Sequence, residues 1–393
     1  MKFSEGEWKK TKEGETEFII FKDAERIYDS SVFYNPEMTI NRDLTLLVLK
    51  MISKQKTEPL TILDPLAGTG VRSYRILKEL PSNIIGKIYT GDRNPIAVET
   101  IQRNIEEIGF DDKLEVKHSD ASITISEFIK KQETIDVIDI DPFGSPIQFI
   151  DSAIQVLQKN EGYLFVTATD LQVLCGKYAN ACLRIYNSIP TRNFLCHEVA
   201  LRILLYNLLI SAGRTGVAID PVISYHHEHF LRVKVKIIKS KEKANLQHQN
   251  IGFVYFCTEC SYFKSAKISE IMESTDCPVC KMRLEKAGPL WLEQLYYREY
   301  IEELRTVLQE SDMPSKNEIE KKLTRMIEEA ESPPFFYFLP YVLRRLKKVG
   351  IGIQMIIDSL REKGYIASRT SFDPQGLKTN ASYQDLSDVI ALH

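Results

Sequence analysis

The sequence lacks the features of membrane proteins, secreted proteins and generally basic nucleic-acid coats. Its 393 residues contain no run of about 20 apolar residues, so we expect no contact with a membrane. The first residues are polar and acidic and form no apolar signal core, which favours a cytoplasmic location. The formal net charge is -3, so any nucleic-acid site must be a local patch. Nothing in this composition points to an obligate protein partner.

The chain also offers no disulfide framework. Its seven cysteines are odd in number, and a cytoplasmic protein keeps its thiols reduced. Four of them form two C-x-x-C pairs separated by sixteen residues, and four thiolates at this spacing can surround a structural zinc ion. The alternative, that these cysteines are redox-active or incidental, is disfavoured because the sequence lacks a thioredoxin-like context. We predict that the zinc ligands are Cys257, Cys260, Cys277 and Cys280. The other three are predicted to be small buried apolar residues: Cys175, Cys182 and Cys196.

A glycine-rich turn follows one strongly apolar segment. The predicted strand T-I-L-D ends at Asp64 and continues through P-L-A-G-T-G into a predicted helix. Gly68 and Gly70 would let backbone N–H groups approach a ligand closely. Such a turn alone is weak evidence, because many nucleotide-binding folds and many plain strand-to-helix turns contain one.

Strand and helix patterns alternate after this turn, which predicts a parallel, doubly wound α/β sheet. Acidic residues stand at the carboxyl ends of successive strands, where open α/β sheets bind their ligands. Each acid taken alone is more simply explained as a turn-forming or helix-capping residue. Their recurrence favours a ligand site, and the four residues are Asp64, Asp92, Asp120 and Asp141.

The spacing of these acids suits an adenosine cofactor. Asp92 follows the turn by roughly 20 residues, where a carboxylate can accept both ribose hydroxyls. Asp120 is available to the exocyclic amine of an adenine, and the backbone of Ala121 to the ring edge. A dinucleotide favours a third glycine, which this turn lacks, whereas a sulfonium cofactor is favoured by the acidic Asp64.

The segment D-P-F at 141–143 decides between these two chemistries. An exocyclic amine of a base is a poor nucleophile, because its lone pair is delocalised into the ring. A carboxylate that accepts hydrogen bonds from the amine N–H groups localises the lone pair on the amine nitrogen and can take the proton that the amine loses. An aromatic face fixes the plane of the base. We predict Asp141 as the acceptor and Phe143 as the stacking face of a methyltransferase that uses S-adenosylmethionine. For this motif alone, the alternative is an ordinary turn.

Motifs along nearly the whole chain resemble those of the tRNA guanine-26 N2-dimethyltransferases. Besides D-P-L-A-G-T-G at 64–70 and D-I-D-P-F-G-S-P at 139–146, they are V-F-Y-N-P at 32–36, N-R-D at 41–43, S-A-G-R-T-G at 211–216 and S-R-T-S-F-D-P-Q-G-L-K-T-N at 368–380. The resemblance implies a Rossmann-like class I methyltransferase sheet. It also implies methyl transfer from S-adenosylmethionine to the exocyclic N2 of guanosine 26 in tRNA, giving N2-methyl- and N2,N2-dimethylguanosine.

The resemblance assigns roles to individual residues as well. It implies that the cofactor is contacted by Arg42, Arg72, Asp92, Asp120 and Ala121. It implies that Phe33, Asp141 and Phe143 form the base pocket. A guanidinium at Arg42 would suit the cofactor carboxylate, although spacing alone indicates only an exposed arginine at a helix start. The four cysteines are not universal in this family, so the zinc prediction depends on their spacing.

The C-terminal part of the chain is predicted to bind the tRNA. We expect a methyltransferase domain at 1–248 and a second domain at 249–393, with a zinc ribbon at 252–288 and a winged-helix-like α+β unit at 315–393. Between residues 333 and 380 eight basic residues face three acidic ones, a net charge of +5. Most aromatic residues at 335–341 are expected in the core. Phosphate contacts are predicted for Arg344, Arg345, Lys347 and Lys348.

Two other functions stay open at this point. One is methylation of an amine in another nucleic acid or in a protein side chain, which does not explain the motif at 368–380. The other is a non-catalytic tRNA-binding protein, which leaves the intact Asp141, Phe143 and glycine-rich turn without a role.

Overall fold

The computed structural model describes residues 7–22, 30–109, 112–270 and 275–393. Residues 271–274 of the predicted zinc ribbon lie outside these ranges. The strands of the described residues are β1 (Glu7–Glu13), β2 (Thr16–Lys22), β3 (Leu60–Asp64), β4 (Ile85–Asp92), β5 (Leu114–His118), β6 (Val137–Ile140), β7 (Tyr163–Ala168), β8 (Ala218–His227), β9 (Phe230–Ile238), β10 (Ile251–Phe256), β11 (Phe263–Lys267), β12 (Glu285–Trp291), β13 (Tyr337–Phe338), β14 (Ala367–Arg369) and β15 (Gly376–Thr379).

The helices connect and flank these strands. In the same ranges they are α1 (Thr39–Lys54), α2 (Val71–Glu79), α3 (Pro95–Asn104), α4 (Ala121–Lys131), α5 (Ile147–Leu157), α6 (Leu171–Leu174), α7 (Ala179–Tyr186), α8 (Cys196–Arg214), α9 (Lys241–His248), α10 (Arg298–Gln309), α11 (Lys316–Glu329), α12 (Leu339–Leu346), α13 (Ile353–Glu362) and α14 (Tyr383–Ala391). None of the described helices combines the length and apolar content that a membrane span requires.

Seven strands form the main sheet, in the order β5-β4-β3-β6-β7-β9-β8. The first five pair in parallel, as the alternating pattern predicted. Strands β8 and β9 follow one another across two residues, a connection that only antiparallel strands permit. The sheet is therefore mixed, and its strand order reverses between β3 and β6. In an open α/β sheet the ligand binds beside such a reversal.

The central strands explain why the sheet is stable. Every residue of β6 (V-I-D-I) and of β7 (Y-L-F-V-T-A) is buried. Continuous apolar runs of this kind are typical of parallel strands that are covered on both faces. Helix starts then fix the loops at the carboxyl edge. Asn94 caps α3 by accepting from the Ile96 N–H at 3.0 Å, with Pro95 in the first turn.

The described residues divide into two compact units that are discontinuous in sequence. The first contains the residues up to Thr167 with Lys234–Ile238 and Glu303–Glu320. The second contains Ala168–Val233, Lys239–Glu302 and Lys321–His393. The domain boundary expected at residue 248 stays a prediction.

The second unit contains two small antiparallel sheets, ordered β11-β10-β12 and β13-β15-β14. Side chains of α12, α13 and α14 form one apolar core with the four predicted zinc ligands. Three residues of this core that are fully buried are Val342, Leu360 and Leu386. The same core therefore supports both the cysteine cluster and the basic helix α12.

A buried ion network ties the middle of the second unit to its C-terminal motif. Glu198 is fully buried, and its Oε1 accepts from Arg202 Nη2 at 2.7 Å and from the Phe335 N–H at 2.8 Å. Lys378 Nζ lies 3.3 Å from the same oxygen and 3.5 Å from Glu329 Oε2. Burial alone would raise the pKa of Glu198, but the charges of Lys378 and Arg202 hold that pKa below its usual value.

We expect Glu198→Gln to lower the free energy of unfolding by about 3 to 5 kcal/mol, because it leaves buried cations without their countercharge. The measurement is urea unfolding followed by circular dichroism. Glu310→Gln is the matched control, since Glu310 pairs with Lys54 at 3.3 Å on an exposed surface. There we expect a change within about 1 kcal/mol. Equal effects of the two substitutions would contradict the importance of the buried network.

Candidate functional site

The carboxyl edge of the sheet brings the predicted acids into one region of the first unit. Asp64 ends β3 and Asp92 ends β4, while Asp141 directly follows β6. Asp120 follows β5 and caps α4, with its Oδ1 accepting from the Ser122 N–H at 2.9 Å. Because these strands are neighbours and parallel, their ends meet at the same edge. The capping role of Asp120 uses one carboxylate oxygen, and Ala121 is buried at the start of α4.

The glycine-rich turn is held by its own hydrogen bonds. The Gly68 N–H donates to Asp92 Oδ2 at 3.0 Å, and the Gly70 N–H donates to the Ala67 carbonyl at 2.8 Å. Both glycines have positive φ values, +52° and +79°. A Cβ at Gly70 would lie 2.5 Å from the Tyr74 hydroxyl oxygen, so a side chain there would force the turn to move. The glycines thus permit a tight turn beside Asp92.

Asp64 is a buried acid of this edge with a raised pKa. It is buried, and neither carboxylate oxygen has a hydrogen-bond partner among the described residues. Burial raises the pKa of Asp64 to about 7; Arg72 opposes this shift, and the charges of Asp139, Asp141 and Asp92 add to it. A buried acid without hydrogen bonds fits a ligand that brings positive charge, as a sulfonium or ammonium group does.

Arg72 lies between two acids of the β6 segment. Its guanidinium forms an ion pair with Asp141 and lies 3.2 Å from Asp139, both measured between Nη and carboxylate oxygens. The same group lies within hydrogen-bond distance of Asn41 Oδ1 and Thr45 Oγ1 on α1. The resemblance implied that Arg72 contacts the cofactor; in the structure its partners include the predicted acceptor itself.

The predicted base pocket is assembled from distant segments. Phe33 and Phe143 meet edge to face, with ring centroids 4.6 Å apart and an interplanar angle of 84°. Phe143 is 71% exposed, so one large aromatic face is open to solvent. Asp141 stands two residues before Phe143. An aromatic face and a carboxylate at one rim can hold a planar base that carries an amine.

Arg42 is bound to an acid that the sequence did not indicate. Its Nε donates to Glu13 Oε1 at 2.6 Å and its Nη2 to Glu13 Oε2 at 2.5 Å. Burial would raise the pKa of Glu13, but Arg42 and Arg75 hold it below its usual value. Arg75 is itself fully buried, with Asp43 at 2.6 Å and Glu79 at 2.7 Å. No spacing pattern connects Glu13 at the end of β1 with arginines on α1 and α2, so sequence reasoning missed this network.

The four predicted zinc ligands converge in the second unit. Their Sγ atoms all lie within 4.8 Å of one another, with Cys257 to Cys280 at 3.3 Å and Cys260 to Cys277 at 3.5 Å. Zn–S bonds of about 2.3 Å place tetrahedral sulfur atoms about 3.8 Å apart. The two C-x-x-C segments form equivalent turns, because Ser261 and Lys281 both have φ +66°. The donor set and its dimensions fit a closed zinc site.

Two of the other three cysteines differ from the prediction. Cys182 is fully buried as expected, but Cys175 and Cys196 are only half-buried. Their sulfur atoms and a ring nitrogen of His197 lie within 4.8 Å of one another. Cys196 begins α8 and Cys175 follows α6, so the fold joins two thiols that the sequence keeps 21 positions apart.

The predicted phosphate contacts lie on and after α12. Arg344, Arg345 and Lys347 are exposed, and Lys348 is half-buried with its Nζ donating to the Ala391 carbonyl at 3.1 Å. Phe335, Phe336 and Tyr337 are buried, as expected of core aromatics. The net charge of +5 counted between residues 333 and 380 needs one correction. Lys378, one of the eight basic residues in that segment, is buried in the Glu198 network and contributes no charge to the surface.

Comparisons with known proteins agree along nearly the whole chain. The family described as N2,N2-dimethylguanosine tRNA methyltransferase matches residues 11–391. A tRNA (guanine(26)-N(2))-dimethyltransferase from Methanobrevibacter smithii is 33% identical over 363 residues, which cover 92% of each chain. The protein of the same name from Pyrococcus horikoshii is 33% identical over 393 residues, covering 96% of this chain and 97% of its own.

A solved structure extends the similarity to the fold. The structure of Trm1 from Pyrococcus horikoshii in complex with S-adenosyl-L-methionine matches with a TM-score of 0.84 and 30% sequence identity. The match covers 97% of this chain and 99% of that one.

The raised pKa of Asp64 predicts a pH-dependent stability. An unfolded chain releases this proton near pH 4, about three units below the folded pKa of about 7. Between these values the folded state binds more protons, so the contribution of Asp64 to stability falls as pH rises. We expect Asp64→Asn to remove that loss, so that its free energy of unfolding rises relative to the wild type from pH 5 to pH 8.

The measurement is urea unfolding of both proteins at several pH values without added cofactor. Asp151→Asn, at an exposed position of α5, is the matched control and should change stability equally at every pH. A constant difference between wild type and Asp64→Asn across this range would refute the assignment.

Proposed function

Because this chain belongs to the N2,N2-dimethylguanosine tRNA methyltransferase family, we propose a mechanism in which its own residues methylate guanosine 26 of tRNA. The enzyme transfers methyl groups from S-adenosylmethionine to the exocyclic N2 of this base, giving N2-methyl- and N2,N2-dimethylguanosine. The observation that carries the mechanism is the carboxyl edge of the sheet, where Asp141 and the Phe33–Phe143 pair stand beside the turn at Asp64. A cytoplasmic location is part of the proposal.

The cofactor site is formed by the carboxyl ends of β3, β4 and β5 and by the loops that follow these strands. S-adenosylmethionine, when bound, supplies a methyl group on a positively charged sulfur. Asp64 provides a buried carboxylate without hydrogen bonds, which suits positive charge nearby. Asp92 orients the turn through Gly68 and retains lone pairs for ribose hydroxyls. Gly70, Asp120 and Ala121 line the adjoining segments, and Arg42 and Arg72 belong to the same proposed site.

The base pocket supplies the proton acceptor and the aromatic ring that orients the plane of the base. Phe143 stacks against the guanine ring, and Phe33 supports Phe143 from its edge. Asp141 accepts hydrogen bonds from the N–H groups of the exocyclic amine, and this concentrates the lone pair of the amine on N2. When N2 forms its bond to the methyl carbon, the bond between that carbon and the sulfonium sulfur would break and leave a neutral thioether, and Asp141 would take the proton that N2 loses. Arg72 holds the Asp141 carboxylate in place and supplies its countercharge.

The target guanosine must leave its stack to reach this pocket. Removing a nucleotide from a helix costs roughly a few kcal/mol, and contacts with the rest of the tRNA must offset that cost. The exposed cations Arg344, Arg345 and Lys347 of the second unit, with Lys348 beside them, are suited to phosphates. The small sheet β13-β15-β14 with α12 to α14 is the winged-helix-like unit of this proposal.

A zinc ion at the four cysteines would order the RNA-binding part. The Ser261 hydroxyl accepts from the Phe338 N–H at 2.7 Å, and Tyr383 Oη donates to the Cys260 carbonyl at 3.1 Å. These bonds connect one cysteine turn to the segments before α12 and at α14. A metal that closes the turn therefore fixes the base of the basic helix.

Substitution of Asp141 tests the catalytic assignment. We expect Asp141→Ala to lower the single-turnover rate of methyl transfer by about 100- to 10,000-fold, because the proton acceptor is lost. The assay is label transfer from S-adenosylmethionine to a tRNA transcript, with the modified position mapped to guanosine 26. Asp151→Ala, an exposed aspartate on α5, should keep the wild-type rate. Transfer at an undiminished rate in Asp141→Ala, with tRNA binding retained, would exclude Asp141 as acceptor.

Metal analysis tests the zinc proposal. We expect about one zinc per chain in the wild type and very little in Cys257→Ser, because a closed site needs all four thiolates. The variant should also bind tRNA more weakly, since the base of α12 loses its support. Cys175→Ser is the matched control and should retain the metal. Zinc-free wild-type protein, or a Cys257→Ser protein that keeps its zinc, would contradict the assignment.

A further inference from the structure

Three partly exposed aromatic rings meet in the second unit, beside the cations of α12. Phe194 lies two residues before α8, whereas Phe338 ends β13 and Tyr341 belongs to α12. The rings of Phe194 and Phe338 are stacked, with centroids 5.3 Å apart and planes 12° from parallel. Tyr341 meets both rings edge-on, at 5.7 Å and 5.1 Å. We refer to Phe194, Phe338 and Tyr341 as the aromatic platform.

The platform lies outside the packed interior. Phe335, Phe336 and Tyr337 from the same segment are buried, and Phe336 reaches Phe194 with a centroid distance of 6.0 Å. The three platform rings are only half-buried. Their positions are fixed from behind by Phe336 and by the hydrogen bond from the Phe338 N–H to the Ser261 hydroxyl. A rigid aromatic surface of this kind binds a flat ligand with little loss of conformational freedom.

Positive charge adjoins the rings. The Arg344 guanidinium lies 4.8 Å from the centroid of the Tyr341 ring, and its side chain is 60% exposed. Arg345 and Lys347 are exposed on the same short segment. Aromatic faces next to guanidinium and ammonium groups are the chemistry that binds single-stranded nucleic acid, because bases stack on the rings while phosphates meet the cations.

We propose that the aromatic platform stacks an unpaired base of the tRNA, distinct from the guanosine that is methylated. The proposal rests on the tRNA methyltransferase function. The target guanosine has its own aromatic face in Phe143, so the platform is available to a different nucleotide. Stacking of that base recovers part of the free energy that is lost when the target leaves its helix. The cations of α12 hold the phosphates on either side.

Salt dependence separates stacking from charge. We expect Phe194→Ala and Tyr341→Ala each to raise the Kd for tRNA at least about fivefold. The slope of log Kd against log salt concentration should stay unchanged, because no phosphate contact is lost. Arg344→Gln should instead reduce that slope by about one. Phe194→Tyr retains the ring and should restore binding.

Phe253→Ala is the matched control. Phe253 is also half-buried and has Lys286 Nζ 5.3 Å from its ring centroid, but it lies on β10 away from the platform residues in sequence and sheet. Its substitution should leave the Kd unchanged. A wild-type Kd in both alanine variants of the platform, or equal weakening by Phe253→Ala, would overturn the proposal. A changed sedimentation coefficient with unchanged tRNA binding would do the same, since it would assign the platform to contacts between copies of the chain.

The wild-type protein provides a readout that needs no variant. 2-Aminopurine placed at single unpaired positions of the tRNA should change its fluorescence on binding at one position besides guanosine 26 and should not do so with Phe194→Ala. No response at any unpaired position would reject the platform. Absence of label transfer from S-adenosylmethionine to tRNA would reject the methyltransferase function itself, whereas normal transfer with an unaffected Kd in the platform variants would reject the platform alone.

Discussion

Charge balance at the carboxyl edge of the main sheet governs how the site is organised. Three acids lie close enough to Asp64 for their charges to raise its pKa: Asp92, Asp139 and Asp141. Repulsion between carboxylates is strong where water is scarce. Arg72 pairs with two of these acids and opposes the rise in the Asp64 pKa. In the proposed mechanism, a cationic cofactor meets an excess of acid here, and the guanine amine meets a carboxylate already held in place by Arg72.

The second unit depends on a different kind of constraint. Its C-terminal helices share one small core with the cysteine cluster. The Ser261 hydroxyl and the Cys260 carbonyl of the first cysteine turn accept hydrogen bonds from neighbouring segments. A core of this size gains little from apolar burial alone, so metal coordination is a natural source of additional stability. The first C-x-x-C turn thus helps to position the start of the basic helix and Phe338 of the aromatic platform.

The sequence predicted those parts of the site that depend on local order. The carboxyl ends of parallel strands must meet at one edge, so the alignment of Asp64, Asp92, Asp120 and Asp141 could be derived from strand patterns alone. Two C-x-x-C pairs likewise carry their own geometry. Contacts between distant segments were not predictable: Glu13 with Arg42, Lys378 with Glu198, and Phe194 with Phe338. Each is a match of charge or shape that no spacing rule encodes, and two of them involve residues that would ordinarily be assigned to the surface.

The pairing of Glu198 with Lys378 also bears on how the protein is made. The two residues are separated by 180 positions, and in the complete fold the carboxylate is fully buried. A nascent chain that has passed α8 but not β15 would hold this acid without one of its countercharges, a state that buried ions strongly disfavour. The second unit therefore completes this part of its core only after residue 378 has been synthesised, and a chain that stops before Lys378 would lack this ion pair.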